Sequence, residues 1–133
     1  MNTFHFNKLI AMSKTLTVAA AAVFLSGCVN DDSSQLRGYY SWGHEVETFI
    51  PCNSAQTFWV VGDEALLQPL RDKVADIAQA KGEPYPLVYI EASGVAEGTT
   101  KEGFAAQYDG VLRLTTVHSF NKSAPADCTM LDE

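Results

Sequence analysis

The chain has 133 residues, 47% of them hydrophobic and 19% charged, with a formal net charge of −7. That length and balance suit one globular domain and leave little for a second core. The acidic excess repels phosphate backbones, which weighs against nucleic acid as a partner.

Residues 1–27 differ from the rest. Lys8 and Lys14 are their only charges, and Thr15 to Leu25 reads TLTVAAAAVFL, an apolar run closed by Ser26 and Gly27. A basic start, a short apolar centre and a small-residue exit are the pattern of a secretory signal peptide. The run would reach only ~17 Å as a helix, short of the ~30 Å bilayer core. The exit, Leu25-Ser26-Gly27-Cys28, resembles the lipobox of bacterial lipoproteins. The resemblance implies cleavage before Cys28 and acylation of that cysteine with palmitate-type chains, at ~0.8 kcal/mol of anchoring per buried methylene. Val29, rather than Asp, follows the cysteine, which implies sorting to the outer membrane, facing the periplasm. Loss of the two signal lysines takes the net charge from −7 to −9. The chain thus divides into a signal peptide (1–27), a lipidated polar tether (28–36) and a folded domain (37–133).

If Cys28 carries lipid, Cys52 and Cys128 remain as an even pair in an oxidising compartment, and a disulfide between them is expected. Two buried free thiols are the alternative. A metal site has less support, since no Cys-x-x-Cys spacing is present.

Along the domain, residues 37–42 (RGYYSW) read as a strand, with Gly43 as a turn. Residues 44–50 (HEVETFI) alternate, placing Val46, Thr48 and Ile50 on one face and Glu45, Glu47 and Phe49 on the other. Residues 56–61 (QTFWVV) make a third strand. The period then changes to 3.6. Leu66, Leu67, Leu70, Val74, Ile77 and Ala78 form one apolar stripe after a possible cap at Asp63, with Arg71 facing away. Pro69 predicts a kink or a late start to the helix, and Lys81-Gly82 predict its end. Residues 87–92 (LVYIEA) are a fourth strand closed by Gly94. Residues 95–110 are expected as a long loop, and residues 111–118 as a fifth strand with Leu112, Leu114 and Thr116 inward, the alternative face being Val111, Thr115 and Val117.

Three strands, a helix and two strands is the order of a five-stranded OB-like Greek-key barrel, mainly β with its one helix between strands 3 and 4. A split α+β sandwich is the alternative. The blocks GYYSWGHEVETFIPC, TFWVV, LVYIEASG and EGFAAQYDGVLRL resemble a group of small envelope lipoproteins. In strand order and cysteine pair, the chain is also similar to the C-terminal OB domain of NlpE-type lipoproteins. The resemblance covers about Arg37 to Phe120 and implies an outer-membrane lipoprotein linked to envelope stress or surface sensing. The chain lacks the Cys-x-x-Cys motif of the NlpE N-terminal domain, so copper binding does not carry over.

No Gly-x-Ser-x-Gly elbow is present, no carboxylate pair stands out, and no enzyme activity or cofactor is expected. His44, Glu45 and Glu47, with His118, would be the nearest approach to a metal site. A solvated strand accounts for them more simply, and no metal is expected. OB domains bind ligands on the face of strands 2 and 3, flanked by the loops after strands 1 and 4. Trp42, His44 and Glu45, with loop 95–110, are therefore expected to form a binding face. An envelope protein, a peptide or a glycan would be its partner. The alternative is an accessory or structural lipoprotein of a larger envelope complex.

Overall fold

The computed structural model describes residues 33–132. The expected signal peptide, Cys28 and the expected tether up to residue 32 lie outside the described residues. Within them are β1 (Ser34–Gly43), β2 (Val46–Pro51), β3 (Phe58–Gly62), α1 (Glu64–Lys81), β4 (Val88–Gly98), a 3-10 turn (Phe104–Gln107) and β5 (Gly110–Asn121). The strands close into a barrel in the order β1-β2-β3-β5-β4. Neighbours are antiparallel except β3 and β5, which are parallel. This is the OB-like arrangement, with α1 between the third and fourth strands; the split sandwich does not form.

The core follows from the two periods. Tyr40, Phe49, Val60, Val88, Ile90, Leu112 and Leu114 point into the barrel, and Leu67, Leu70, Val74 and Ile77 of α1 cover one end of it. Thr116, expected inward beside Leu112 and Leu114, is exposed. The β4–β5 register shifts between Ser93 and Gly94 and again between Glu91 and Ala92. Each bulge breaks the period of 2, so alternation cannot be extrapolated past Leu114.

Several boundaries differ from the expectation, three of them with a clear physical reason. β1 begins at Ser34, because Ser34–Leu36 pair with Ala92–Gly94; residues 34–36 are strand, not tether. β4 passes through Gly94 to Gly98, which reduces the expected loop 95–110 to a connection at 99–109. At Gly94 a Cβ would lie 2.6 Å from the Arg113 carbonyl oxygen. The glycine marks a close crossing of strands rather than a stop. α1 runs unbroken through Pro69, which sits near its start and leaves the first turn closed by Leu66 and Leu67 amides donating to the Asp63 carbonyl. The Asp63 side chain makes no cap bond. Gly82 ends the helix in a left-handed conformation, φ 69°.

The topology gives the barrel two poles. At the helix pole lie the ends of β1, β3 and β5, the starts of β2 and β4, and α1. At the opposite, tail pole lie the start of β1, the β2–β3 connection (52–57) and the β4–β5 connection (99–109). Cys52 and Cys128 are joined, with Cα atoms 4.7 Å apart. The bridge straps the C-terminal tail to the tail pole. There the Asn53 amide donates to the Thr129 carbonyl at 2.7 Å, and the Tyr39 hydroxyl donates to the Cys128 carbonyl at 2.7 Å.

Candidate binding surfaces

Gly43 pairs with Val46, so His44 and Glu45 alone make the β1–β2 turn at the helix pole. Glu45 takes a left-handed φ of 60°. Both side chains stand in solvent, 90% and 61% exposed, with His44 Nε2 3.9 Å from Glu45 Oε1. Tyr85 lies across the turn. Its hydroxyl donates to the His44 carbonyl at 3.2 Å, and its own carbonyl accepts from the Ser41 hydroxyl at 3.1 Å. The ring occupies the place of a side chain at Gly43, where a Cβ would fall 2.1 Å from Tyr85 Cε1. Tyr85 nevertheless remains exposed, as does Leu87 beside it. Trp42 takes another place. It shares the inward face of Tyr40, packs against the core cluster and is half-buried. It supports the turn from within the barrel wall and presents only part of its surface.

A second group lies at the tail pole. Trp59 of β3 stacks with Phe104 at 6.4 Å between ring centroids and meets Tyr108 at 5.5 Å. Phe104 is 55% exposed. The connection is closed onto β3 by the Asp109 amide donating to the Thr57 carbonyl and the Thr57 amide donating to the Asp109 carboxylate. The expected single face is thus two: His44 and Glu45 at one pole, the β4–β5 connection at the other. The antiparallel register of β1 and β4 sends their C-terminal ends in opposite directions.

Glu47 is the largest surprise. It points inward with Phe49, its side chain 10% exposed. Tyr40 donates to its Oε1 at 2.6 Å, and Arg71 donates from Nε at 3.1 Å and Nη2 at 2.7 Å. Arg71, expected to face away, also reaches Glu64 through Nη1 at 2.9 Å. Burial, and then the bond to Glu47, push the Tyr40 phenol far above its ordinary pKa, while the bond to Glu47 raises that of Arg71. Every oxygen of Glu47 is occupied. The network ties α1 to the barrel and offers no free group for chemistry.

His118 is likewise separated from His44, Glu45 and Glu47. It sits at a bulge in β5 with Nε2 2.7 Å from the Ser93 hydroxyl, beside a groove of about 500 Å³ lined by Gln35, Arg37 and Glu91. Arg37 is held by Asp127 at 2.7 Å, and Glu91 accepts from the Tyr89 hydroxyl at 3.0 Å. Among the described residues, no three His, Cys, Asp or Glu side chains are grouped to hold a metal ion. No described helix is long and apolar enough to cross a membrane.

Sequence reasoning missed Tyr85 and the partners of Trp59. Both left a trace. Pro84 and Pro86 bracket Tyr85 and mark a turn, in which Tyr85 takes a left-handed φ of 55°. Alternation through Phe58-Trp59-Val60-Val61 places Trp59 outside once Val60 is inside. Compared with known proteins, the chain matches no protein family, no curated protein and no solved structure.

Proposed function

We propose that the chain is a lipoprotein of the bacterial cell envelope, acylated at Cys28 and facing the periplasm, whose barrel is a non-enzymatic binding or stress-sensing module. The observation that carries the binding role is the turn at the helix pole. An imidazole and a carboxylate stand exposed on a two-residue turn, with the Tyr85 ring laid across it, and all three have only weak partners of their own. Side chains in that condition are free to engage an envelope protein, a peptide or a glycan. Aromatic rings with a polar tip are well suited to such contacts. The lipobox supports the location.

Site-specific photo-crosslinking in intact cells tests this reading. A cross-linkable residue at His44 or Tyr85 should capture a discrete envelope species that the same residue at Gln79, on the exposed side of α1, does not. Equal capture at all three positions, or none, refutes it. A stable one-to-one complex that survives purification would favour the accessory role. The anchor is tested separately: metabolic labelling with palmitate should mark the wild-type chain and not Cys28→Ser.

A further inference from the structure

We propose that the tail pole of the barrel rests on the bilayer that carries the anchor, with Phe104 entering the headgroup region and the His44–Tyr85 turn held outward. This rests on the reading of Cys28 as the acylated residue. Six Cα steps separate Cys28 from Ser34, where β1 starts. Fully extended, they reach about 20 Å. Ser34 belongs to the tail pole, and β1 then runs nine further steps to Gly43 at the helix pole, about 30 Å along a strand that tilts across the barrel wall. A tether this short holds the tail pole within about 20 Å of the surface in which Cys28 is anchored.

The strands extend past Ser34 at the same end. Ser34 pairs with Gly94, and β4 continues four residues beyond it to Gly98, about 13 Å farther along the strand. The connection 99–109 begins there. Its exposed Phe104 is backed by Trp59 and Tyr108, so the ring is presented on an aromatic base. Five large apolar side chains are exposed among the described residues. Phe104, Met130 and Leu131 belong to segments gathered at the tail pole, whereas Tyr85 and Leu87 belong to the other. Met130 pairs with Ser54 of the β2–β3 connection, and the Leu131 amide donates to the Ser54 carbonyl. Aromatic side chains of this kind settle at the membrane–water interface, where the ring is apolar and the surroundings remain wet.

Charge does not oppose the contact as strongly as the net value suggests. Glu97 is engaged by Arg113, Asp127 by Arg37, and Asp109 by the Thr57 amide. Lys101 stands next to Glu102 in the connection itself. Glu102 and Asp132 remain at this end, so the surface fits a lipid headgroup layer of neutral charge rather than an anionic one.

Trp42 and Trp59 lie on either side of β2, one residue apart in register, so the reporters are placed farther apart. In a chain with Trp42→Phe and Trp59→Phe, one tryptophan is introduced by Met130→Trp at the tail pole or by Leu87→Trp at the helix pole, both exposed positions. The acylated full chain would be inserted into phosphatidylcholine vesicles containing a lipid with a nitroxide on its headgroup. Quenching at position 130 is expected to exceed that at position 87 several-fold, and Phe104→Asp should bring the signal at position 130 down toward that at position 87. Phe104 is exposed, so the circular dichroism of that variant should remain that of the parent, as a check on folding. Equal quenching at the two positions in an acylated, vesicle-bound chain overturns the proposal and leaves the anchor standing. A mature chain whose mass shows no acyl groups overturns the anchor and the orientation together.

Discussion

Replacing Arg71 with Met tests what holds the helix on the barrel. The change leaves the Glu47 carboxylate, 10% exposed, with Tyr40 as its remaining donor. Breaking a buried pair from one side costs about 3–5 kcal/mol, because an uncompensated charge stays inside. The low end applies here, since the Tyr40 bond persists and Met replaces part of the lost packing. A loss of about 3 kcal/mol is a large share of a domain's usual ~5–15 kcal/mol. For about a hundred residues it lowers Tm by roughly 12–24 °C. Urea denaturation of residues 29–133, followed by tryptophan fluorescence with the disulfide intact, measures the change. The midpoint should fall with the slope unchanged. Adding Glu47→Gln removes the stranded charge while keeping an acceptor for Tyr40, so the double variant should recover about 1–2 kcal/mol. Arg113→Met, which breaks an exposed pair with Glu97, should change stability far less. The reasoning fails if Arg71→Met costs no more than Arg113→Met, or if the double variant recovers nothing.

Three further outcomes follow from the same geometry. Reducing the Cys52–Cys128 bridge, or replacing both cysteines with Ala, frees a loop closed across a sequence separation of 76. Chain entropy puts the loss at about 4.5 kcal/mol, and the difference between oxidised and reduced denaturation midpoints reads it directly. Tyr40 has a folded pKa raised above its unfolded value of about 10, so its contribution is complete below pH 10 and is lost as pH rises beyond it. Stability should fall above pH 10 in the wild type and more shallowly in Tyr40→Phe, which starts about 1.5–3 kcal/mol lower for want of the bond to Glu47. Gly38→Ala and Gly43→Ala should separate cleanly in thermal melts. At Gly38 the new methyl meets the Ile50 carbonyl oxygen at 2.2 Å and the Pro51 Cα at 2.9 Å, both backbone, and the barrel must distort. At Gly43 it meets only the Tyr85 ring, which can swing into solvent with little loss of stability.

The order of elements was legible because each carries its period over enough residues to be unambiguous. β2, β3 and the start of β5 alternate, and α1 presents Leu67, Leu70, Val74 and Ile77 at helical spacing before a glycine stop. The disulfide was legible once Cys28 was set aside. Strand ends were not. Gly94 looks like a terminator, yet its lack of a side chain lets β4 cross β5 closely and continue to Gly98. The three register shifts in the β4–β5 ladder are announced by no local pattern. The placement of Tyr85 is also a tertiary fact. It requires a gap at Gly43, more than forty residues away in sequence, and neither residue alone suggests the other.

Glu47 lies between these cases, and its environment follows from constraints that are each simple. Alternation puts it on the face of Phe49, and a phenylalanine in a small barrel goes inside. A glutamate two residues away must then be at least partly buried, and a buried carboxylate needs donors. In a chain this acidic few cations are available, and most lie on surface segments. Arg71 flanks the apolar stripe of the one helix, a single residue past Leu70. From there its long side chain can bury its stem along the stripe and turn its guanidinium to the barrel rim. The inference needs the helix to cap the barrel at the β2 end, which the strand order alone supplies. A polar residue on the wrong face of a strand is therefore informative. It points to the cation that must meet it, and that pairing fixes where the helix sits.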